Sequence, residues 1–176
     1  MINYFEFYGL PVTLGLDPSL LKKKFYELSR SFHPDFHTLA GEQQQEEMLK
    51  QSAINNDAYQ VLSNFNSRVK HVLVLFNKLK EEGENKVPQD FLMEMMELNE
   101  GLMELEMNPD PSQRQKLLGA LEIAEKDTRA SIATLMQKNF AEDFNELEWV
   151  SLLDYYLKSK YLSRLKSGIE NISTQS

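Results

Sequence analysis

Few breaks interrupt this sequence. Its 176 residues contain only 7 glycines and 6 prolines, and between them apolar side chains recur at three- and four-residue intervals. That interval places side chains on one face of an α-helix, whereas a half-buried strand alternates every second residue. Long stretches without turn residues argue against a β fold, so an all-α chain is expected. The length suits one medium domain or two small ones with modest cores.

The breaks that do occur divide the chain. A brief element around Tyr4–Gly9 stops at Leu10-Pro11, and Asp17-Pro18 is then a helix start, with aspartate as N-cap and proline preset at the first helical position. Leu21, Phe25, Leu28 and Phe32 follow at spacings of four, three and four, forming one apolar face. His33-Pro34-Asp35 ends this helix, because Pro34 offers no N–H and pushes His33 out of the α region. A second helix is expected over 42–63, with Ile54, Ala58, Val61, Leu62 and Phe65 on its buried side, and a shorter one over 67–76. Residues 77–87 (NKLKEEGENKV) are polar, contain Gly83 and precede Pro88, as a connector would. Three longer helices are expected beyond it, over 88–106, 112–138 and 144–172, separated by short links such as Asn108-Pro109-Asp110-Pro111. Short links imply an antiparallel three-helix bundle. The expected division is therefore 1–76, a linker 77–87, and 88–176.

The two halves differ in charge. Residues 1–75 hold 7 basic and 8 acidic side chains, while 87–176 hold 9 and 16. The net charge of −8 does not suit nucleic acid, whose phosphates call for many Lys and Arg contacts. With no cysteine, disulfides, thiolate metal sites and cysteine nucleophiles are excluded. No apolar run approaches the roughly 20 residues of a bilayer span. The N-terminus has neither a secretory signal nor an arginine-rich leader, so a cytoplasmic location is expected. No cofactor is expected, and a monomer is the simplest expectation for oligomeric state.

Opposite the apolar face of the first long helix lie Lys22, Lys23, Tyr26 and Arg30, a basic surface that runs directly into His33-Pro34-Asp35. A basic helix face alone is ordinarily solvated surface, and a tripeptide recurs by chance. Their combination with the later INNDAYQVLSN helix resembles the J-domain family, and YFEFYGLP matches that family's opening helix and turn. The resemblance implies a helical hairpin with HPD at its tip, docking on a DnaK-type chaperone and stimulating its ATPase. His33, Pro34 and Asp35 match the signature, and Lys22, Lys23, Tyr26 and Arg30 the docking face. Clustered charge would speed encounter and orient the partner, and Asp35 suits a charge-assisted contact with an arginine. A hydrolase using His33 and Asp35 is an alternative, but no Ser, Cys or second His with a plausible role accompanies them. His37 lies close in sequence without enough further ligands for zinc.

In PQDFLMEMMELNEGLMELEMN, the residues Phe91, Met95, Leu98, Leu102 and Leu105 form a seam at four- and three-residue spacing. Leu92, Met93, Met96 and Met103 fall outside that seam and share the outer side with Glu97, Glu100 and Glu104; no Lys or Arg occurs between Pro88 and Met107. A contiguous apolar patch rimmed by charge suits a binding surface, and methionine suits adaptable contacts. Helical spacing of glutamates does not make a calcium loop, nor a paired acid–base site.

Together with the N-terminal J-like region, this acidic FLMEMMEL helix resembles the HscB family of iron–sulfur co-chaperones over nearly the whole chain. The resemblance implies an L-shaped all-helical molecule without catalysis or cluster of its own. Its C-terminal domain would bind the scaffold protein IscU and deliver it to the chaperone HscA. The implied scaffold-binding residues are Leu92, Met93, Met96, Glu97, Glu100 and Glu104, completed by Tyr161, which also fits a core position. Met96 and Tyr161 depart from the family's usual leucine and phenylalanine but keep an apolar body. Absence of a cysteine zinc module favours the bacterial-type form. A general J-domain protein with another client is the alternative reading.

Overall fold

The computed structural model describes residues 1–33, 35, 41–81, 83–138 and 143–172. Among them there are α-helices and 3-10 turns but no strand, and the chain is all-α as expected. It forms two compact units, Met1–Phe76 with Met136–Phe144, and Asn77–Leu135 with Asn145–Ser176.

In the first unit, α1 covers Tyr4–Phe7, α2 Pro18–Ser31, α3 Glu42–Ser63 and α4 Phe65–Leu75. The side chain of Asn3 caps α1, that of Asp17 caps α2 by accepting from the Ser19 N–H at 2.8 Å, and that of Asn64 caps α4. The α2 start falls where the Asp-Pro pair places it. The Asn64 cap starts α4 at Phe65, two residues before the expected Ser67. Helices α2 and α3 pack side by side, with the Phe25 ring stacked on Tyr59 at 4.4 Å. Phe5, Leu14, Leu21, Ala58, Leu62, Val69, Val72 and Leu73 are buried in this unit.

A polar residue sits among them. Asn55 is on the same face of α3 as Ala58 and Leu62, three and seven residues on, and is 1% exposed. Its Nδ2 donates to the Phe25 carbonyl at 3.1 Å and to Ser29 Oγ at 2.9 Å, both on α2. Tyr8, just after α1, donates its hydroxyl toward Asn55 Oδ1 and the Asn55 carbonyl, at 2.9 Å each. One carboxamide thus joins three elements, and burial raises the Tyr8 phenol above its ordinary pKa, with Tyr59 adding to the shift. His71 is another buried polar group: its Nε2 accepts the Tyr4 N–H at 3.2 Å while its ring stacks on Tyr4 and Phe5.

The second unit contains α5 (Gln89–Glu94), α6 (Met96–Met107), α7 (Pro111–Ala130), a 3-10 turn (Ala133–Gln137) that runs past the unit's edge at Leu135, and α8 (Glu146–Asn171). Gln113 reaches Glu104, and Arg114 donates to the carbonyls of Ile169 and Glu170, so neighbouring helices run antiparallel. Phe91, Met95, Leu98, Leu105, Leu117, Leu121, Leu162, Leu165 and Ile169 form the core. Gly101 admits Leu117 here, since a Cβ would lie 2.6 Å from its Cδ2.

Two of the expected helices differ from the sequence expectation. The helix expected over 88–106 is stepped at Met95 (φ −86, ψ 1). The Met95 carbonyl accepts both the Asn99 N–H at 3.0 Å and the Asn99 side chain at 2.7 Å, which bends the ladder without breaking it. The helix expected over 112–138 stops at Ala130; the Ser131 hydroxyl takes the Thr128 carbonyl at 2.7 Å, and the chain turns to bury Ile132 and Leu135. Within the expected connector, the described residues make bonds of their own. The Asn85 side chain bonds the main chain of Lys80 and Glu81, and Lys78 pairs with Glu146 at 2.9 Å and lies over the Trp149 ring. Conversely, Met136–Phe144 groups with the first unit, where the missing side chain of Gly15 lets the Met136 carbonyl pass close.

Two outcomes follow from the buried polar pair. Asn55→Ala removes the side-chain donor to Ser29 Oγ and the Phe25 carbonyl and the Oδ1 acceptor of the Tyr8 hydroxyl, and chemical denaturation followed by circular dichroism is expected to show a loss of about 1–3 kcal/mol. Burial lowers the His71 pKa below its ordinary 6.5. Between that lowered value and 6.5 the unfolded chain binds more protons than the folded one, so the His71 contribution is intact above pH 6.5 and lost as pH falls below it. Removal of the imidazole, as in His71→Phe, should flatten the stability profile in that window.

Candidate functional site

Two exposed surfaces carry the chemistry. On α2, the burial of Leu21 and the stacking of Phe25 on Tyr59 fix the rotation of the helix. Lys22, Lys23, Tyr26 and Arg30 then face solvent, with the Tyr26 ring 59% exposed beside Phe25. Lys23 and Glu27 are 3.9 Å apart, both well exposed, a pair of small energetic weight. The helix ends at Ser31, and His33 and Asp35 follow. The Asp35 N–H donates to His33 Nδ1 at 3.2 Å. The Asp35 carboxylate is 85% exposed, with one oxygen 3.7 Å from His33 Nδ1. Pro34 and His37 lie outside the described residues. No group of three or more His, Cys, Asp or Glu among the described residues is arranged to hold a metal ion.

The second surface is on α5 and α6. The seam Phe91, Met95, Leu98 and Leu105 is buried, with Leu102 partly so, and this leaves Leu92, Met93, Met96 and Met103 outside at 38%, 59%, 55% and 64% exposure. Glu97, Glu100 and Glu104 are exposed beside them. Glu104 accepts from Gln113 Nε2 at 2.9 Å, which ties it to the start of α7. Met107, which the sequence reading does not single out, continues the apolar row and is more exposed than any of these.

Tyr161 on α8 is half-buried. Its ring meets Phe91 edge-on at 5.8 Å, within the core cluster, while its hydroxyl accepts from Asn99 Nδ2 at 2.6 Å. Asn99 lies between Met96 and Met103 along α6, so the phenol reaches the border of the outer face. Arg164 covers the other side of the ring at 5.8 Å.

Comparison with known proteins agrees with this arrangement. Residues 87–170 match the family described as the HSCB C-terminal oligomerisation domain. The Co-chaperone protein HscB homolog of Vibrio vulnificus (strain CMCP6) is 38% identical over 172 residues, which cover 96% of this chain and 95% of that one. A homolog of the same name from Vibrio cholerae serotype O1 (strain M66-2) is 34% identical over 180 residues, 99% and 98% of the two chains. The chain belongs to the HscB co-chaperone family. The solved Chaperone HscB from Vibrio cholerae superposes with a TM-score of 0.72 at 30% identity, covering 97% of each chain. Human co-chaperone HscB gives 0.78 at 21% identity, over 97% of this chain and 81% of that one, which bears on the fold. The chain accordingly has the HscB architecture, a J-domain with a C-terminal helical domain, and the family is one of co-chaperones and not of enzymes. No helix among the described residues is long and apolar enough to cross a membrane.

The two sides of α5–α6 should respond differently to truncation. Leu105→Ala removes a fully buried side chain and is expected to cost about 2–5 kcal/mol. Met96→Ala changes an exposed one and should stay within about 0.5 kcal/mol of the parent. Equal losses in urea denaturation would show that Met96 belongs to the core.

Proposed function

We propose that this chain serves iron–sulfur cluster assembly as an adaptor, binding an IscU-type scaffold through its C-terminal domain and presenting it to an HscA-type chaperone. The J-domain, taken as residues 1–76, engages the ATPase, and the region 88–176 engages the scaffold. What carries this reading is the Leu/Met row on α5–α6: four large apolar side chains are left in water by a helix whose core seam is already complete.

The physical division of work follows from the chemistry of each surface. Leu92, Met93 and Met96 supply apolar area for a partner to bury, with Tyr161 at the border. Glu97, Glu100 and Glu104 set register and encounter rate with a basic counterpart. On the J-domain, Lys22, Lys23 and Arg30 steer toward an acidic groove of the ATPase, Tyr26 adds an exposed ring, and His33-Pro34-Asp35 contacts the partner at the end of α2. Asp35, so exposed in the free protein, has its carboxylate available for an arginine. The cluster travels on the scaffold, since this chain has no cysteine to ligate it.

The deciding assay is the ATPase rate of purified HscA-type chaperone with this protein and IscU, added separately and together. Synergistic stimulation is expected. Asp35→Ala should abolish it while leaving scaffold binding intact. The Leu92→Ala/Met96→Ala double variant should reverse that pattern, with scaffold binding weakened about 10-fold or more and basal J-domain stimulation kept. Stimulation indifferent to the scaffold would retain the J-domain and remove the iron–sulfur role.

A further inference from the structure

The two ends of α2 are held differently. Along this helix only Leu21, near its start, is buried. Phe25, Leu28 and Ser29 are half-buried, as is Phe32 just beyond the end. Ser29 lies about 12 Å along the axis from Leu21, at the usual rise per residue. Apolar burial therefore anchors the near end of α2 more firmly than the far end. Arg30 lies in the last turn, and His33 and Asp35 follow it.

Polar contacts hold the far end. Asn55 and Tyr8 are 1% and 2% exposed. Asn55 Nδ2 donates to the Phe25 carbonyl and to Ser29 Oγ, one turn apart, while its Oδ1 accepts the Tyr8 hydroxyl. A carboxamide has two donor hydrogens and one acceptor oxygen. All are committed here, which fixes the amide in one orientation. Beside Tyr8, the Phe7 ring lies 6.4 Å from that of Phe32, the residue immediately before His33. So α3 grips the last two turns of α2 through Asn55, and α1 braces their end through Phe7 and Tyr8.

Such a junction is a poor source of net stability. Its polar groups must be desolvated, and replacing all partners by apolar groups of like shape is often neutral or better. What it supplies is a single arrangement, because its bonds are met in only one register of α2 on α3. We infer that Asn55 and Tyr8 are positioning residues for chaperone engagement, holding the last turn of α2 so that Arg30, His33 and Asp35 stand in one pose. The inference rests on the proposed engagement of the ATPase by that surface. Both side chains are buried and act through α2, without touching the partner themselves. A partner that needs a pose only fractionally populated binds with its affinity reduced by that fraction, although the contacts in the complex are unchanged.

The test is the Tyr8→Phe/Asn55→Leu variant of the full chain, which removes the junction and leaves apolar side chains of similar size. Its urea midpoint, followed by circular dichroism, is expected at or above that of the parent. The Phe32 N–H bonds the Leu28 carbonyl at 2.9 Å at the end of α2, and its hydrogen exchange should become about 10-fold faster. The Phe76 N–H at the end of α4, bonded to Val72, should keep its rate. In titrations of HscA-type chaperone, half-maximal ATPase stimulation should require about 10-fold more variant than parent, with the plateau kept. Asp35→Ala, in contrast, loses the plateau. Parent-like exchange at Phe32 or a parent-like half-maximal concentration overturns the inference. So does a urea midpoint that falls together with the plateau, since Asn55 and Tyr8 would then be core residues only. A parent that gives no stimulation overturns the engagement of the ATPase and this role with it. Exchange at Phe32 needs no chaperone, so failure of the brace and failure of the chaperone reading are told apart.

Discussion

The carboxamide of Asn55 is the junction on which the N-terminal unit depends. It donates to α2 at Phe25 and Ser29 and receives the Tyr8 hydroxyl, so three elements share one buried hydrogen-bonding group. A buried amide is costly unless its partners are met, and that cost disfavours any register of α2 against α3 in which they are not. Apolar contacts between two amphipathic helices tolerate sliding by a turn; a satisfied carboxamide does not. The consequence reaches the surface. With α2 fixed in rotation, Lys22, Lys23, Tyr26 and Arg30 all point outward, and the helix ends where His33 and Asp35 follow in solvent.

A different device shapes the C-terminal unit. The α5–α6 segment has more apolar residues than one buried face can accommodate, and the bundle takes those of the seam. The remainder cannot be buried by the same helix, because side chains about 100° or more around the axis point away from the neighbouring helices. Leu92, Met93, Met96 and Met103 therefore stay exposed among carboxylates. The step at Met95 leaves this division intact, since the main-chain bonds from Met95 to Phe91 and from Asn99 to Met95 are kept.

Much of this was legible in the residues alone. Helix content, the Asp17 cap, the span of α3 and the split between seam and outer face on α5–α6 all follow from local rules of capping and periodicity. The J-domain signature and the acidic FLMEMMEL helix were enough to indicate the family. Asn55 was the residue most easily overlooked, though it carried a signal: a polar side chain in register with Ala58 and Leu62 on an otherwise apolar stripe. The exposure of Met107 had no such signal, because exposure is not a property of a single helix.

The boundary between the two kinds of information is physical. Sequence by itself determined which segments are helical, where caps and prolines end them, and which side of each helix is apolar, because these depend on bonds and spacings within a few residues. Only the tertiary structure decided that Tyr161 shares its ring with the core and its hydroxyl with Asn99, and that the chain leaves the helix after Ala130 to bury Ile132 and Leu135. It also decided that 77–87 folds onto the second unit through Lys78, and that 136–144 groups with the first. Each of these turns on a partner distant in the chain, and local pattern cannot specify which of several available surfaces a residue will meet.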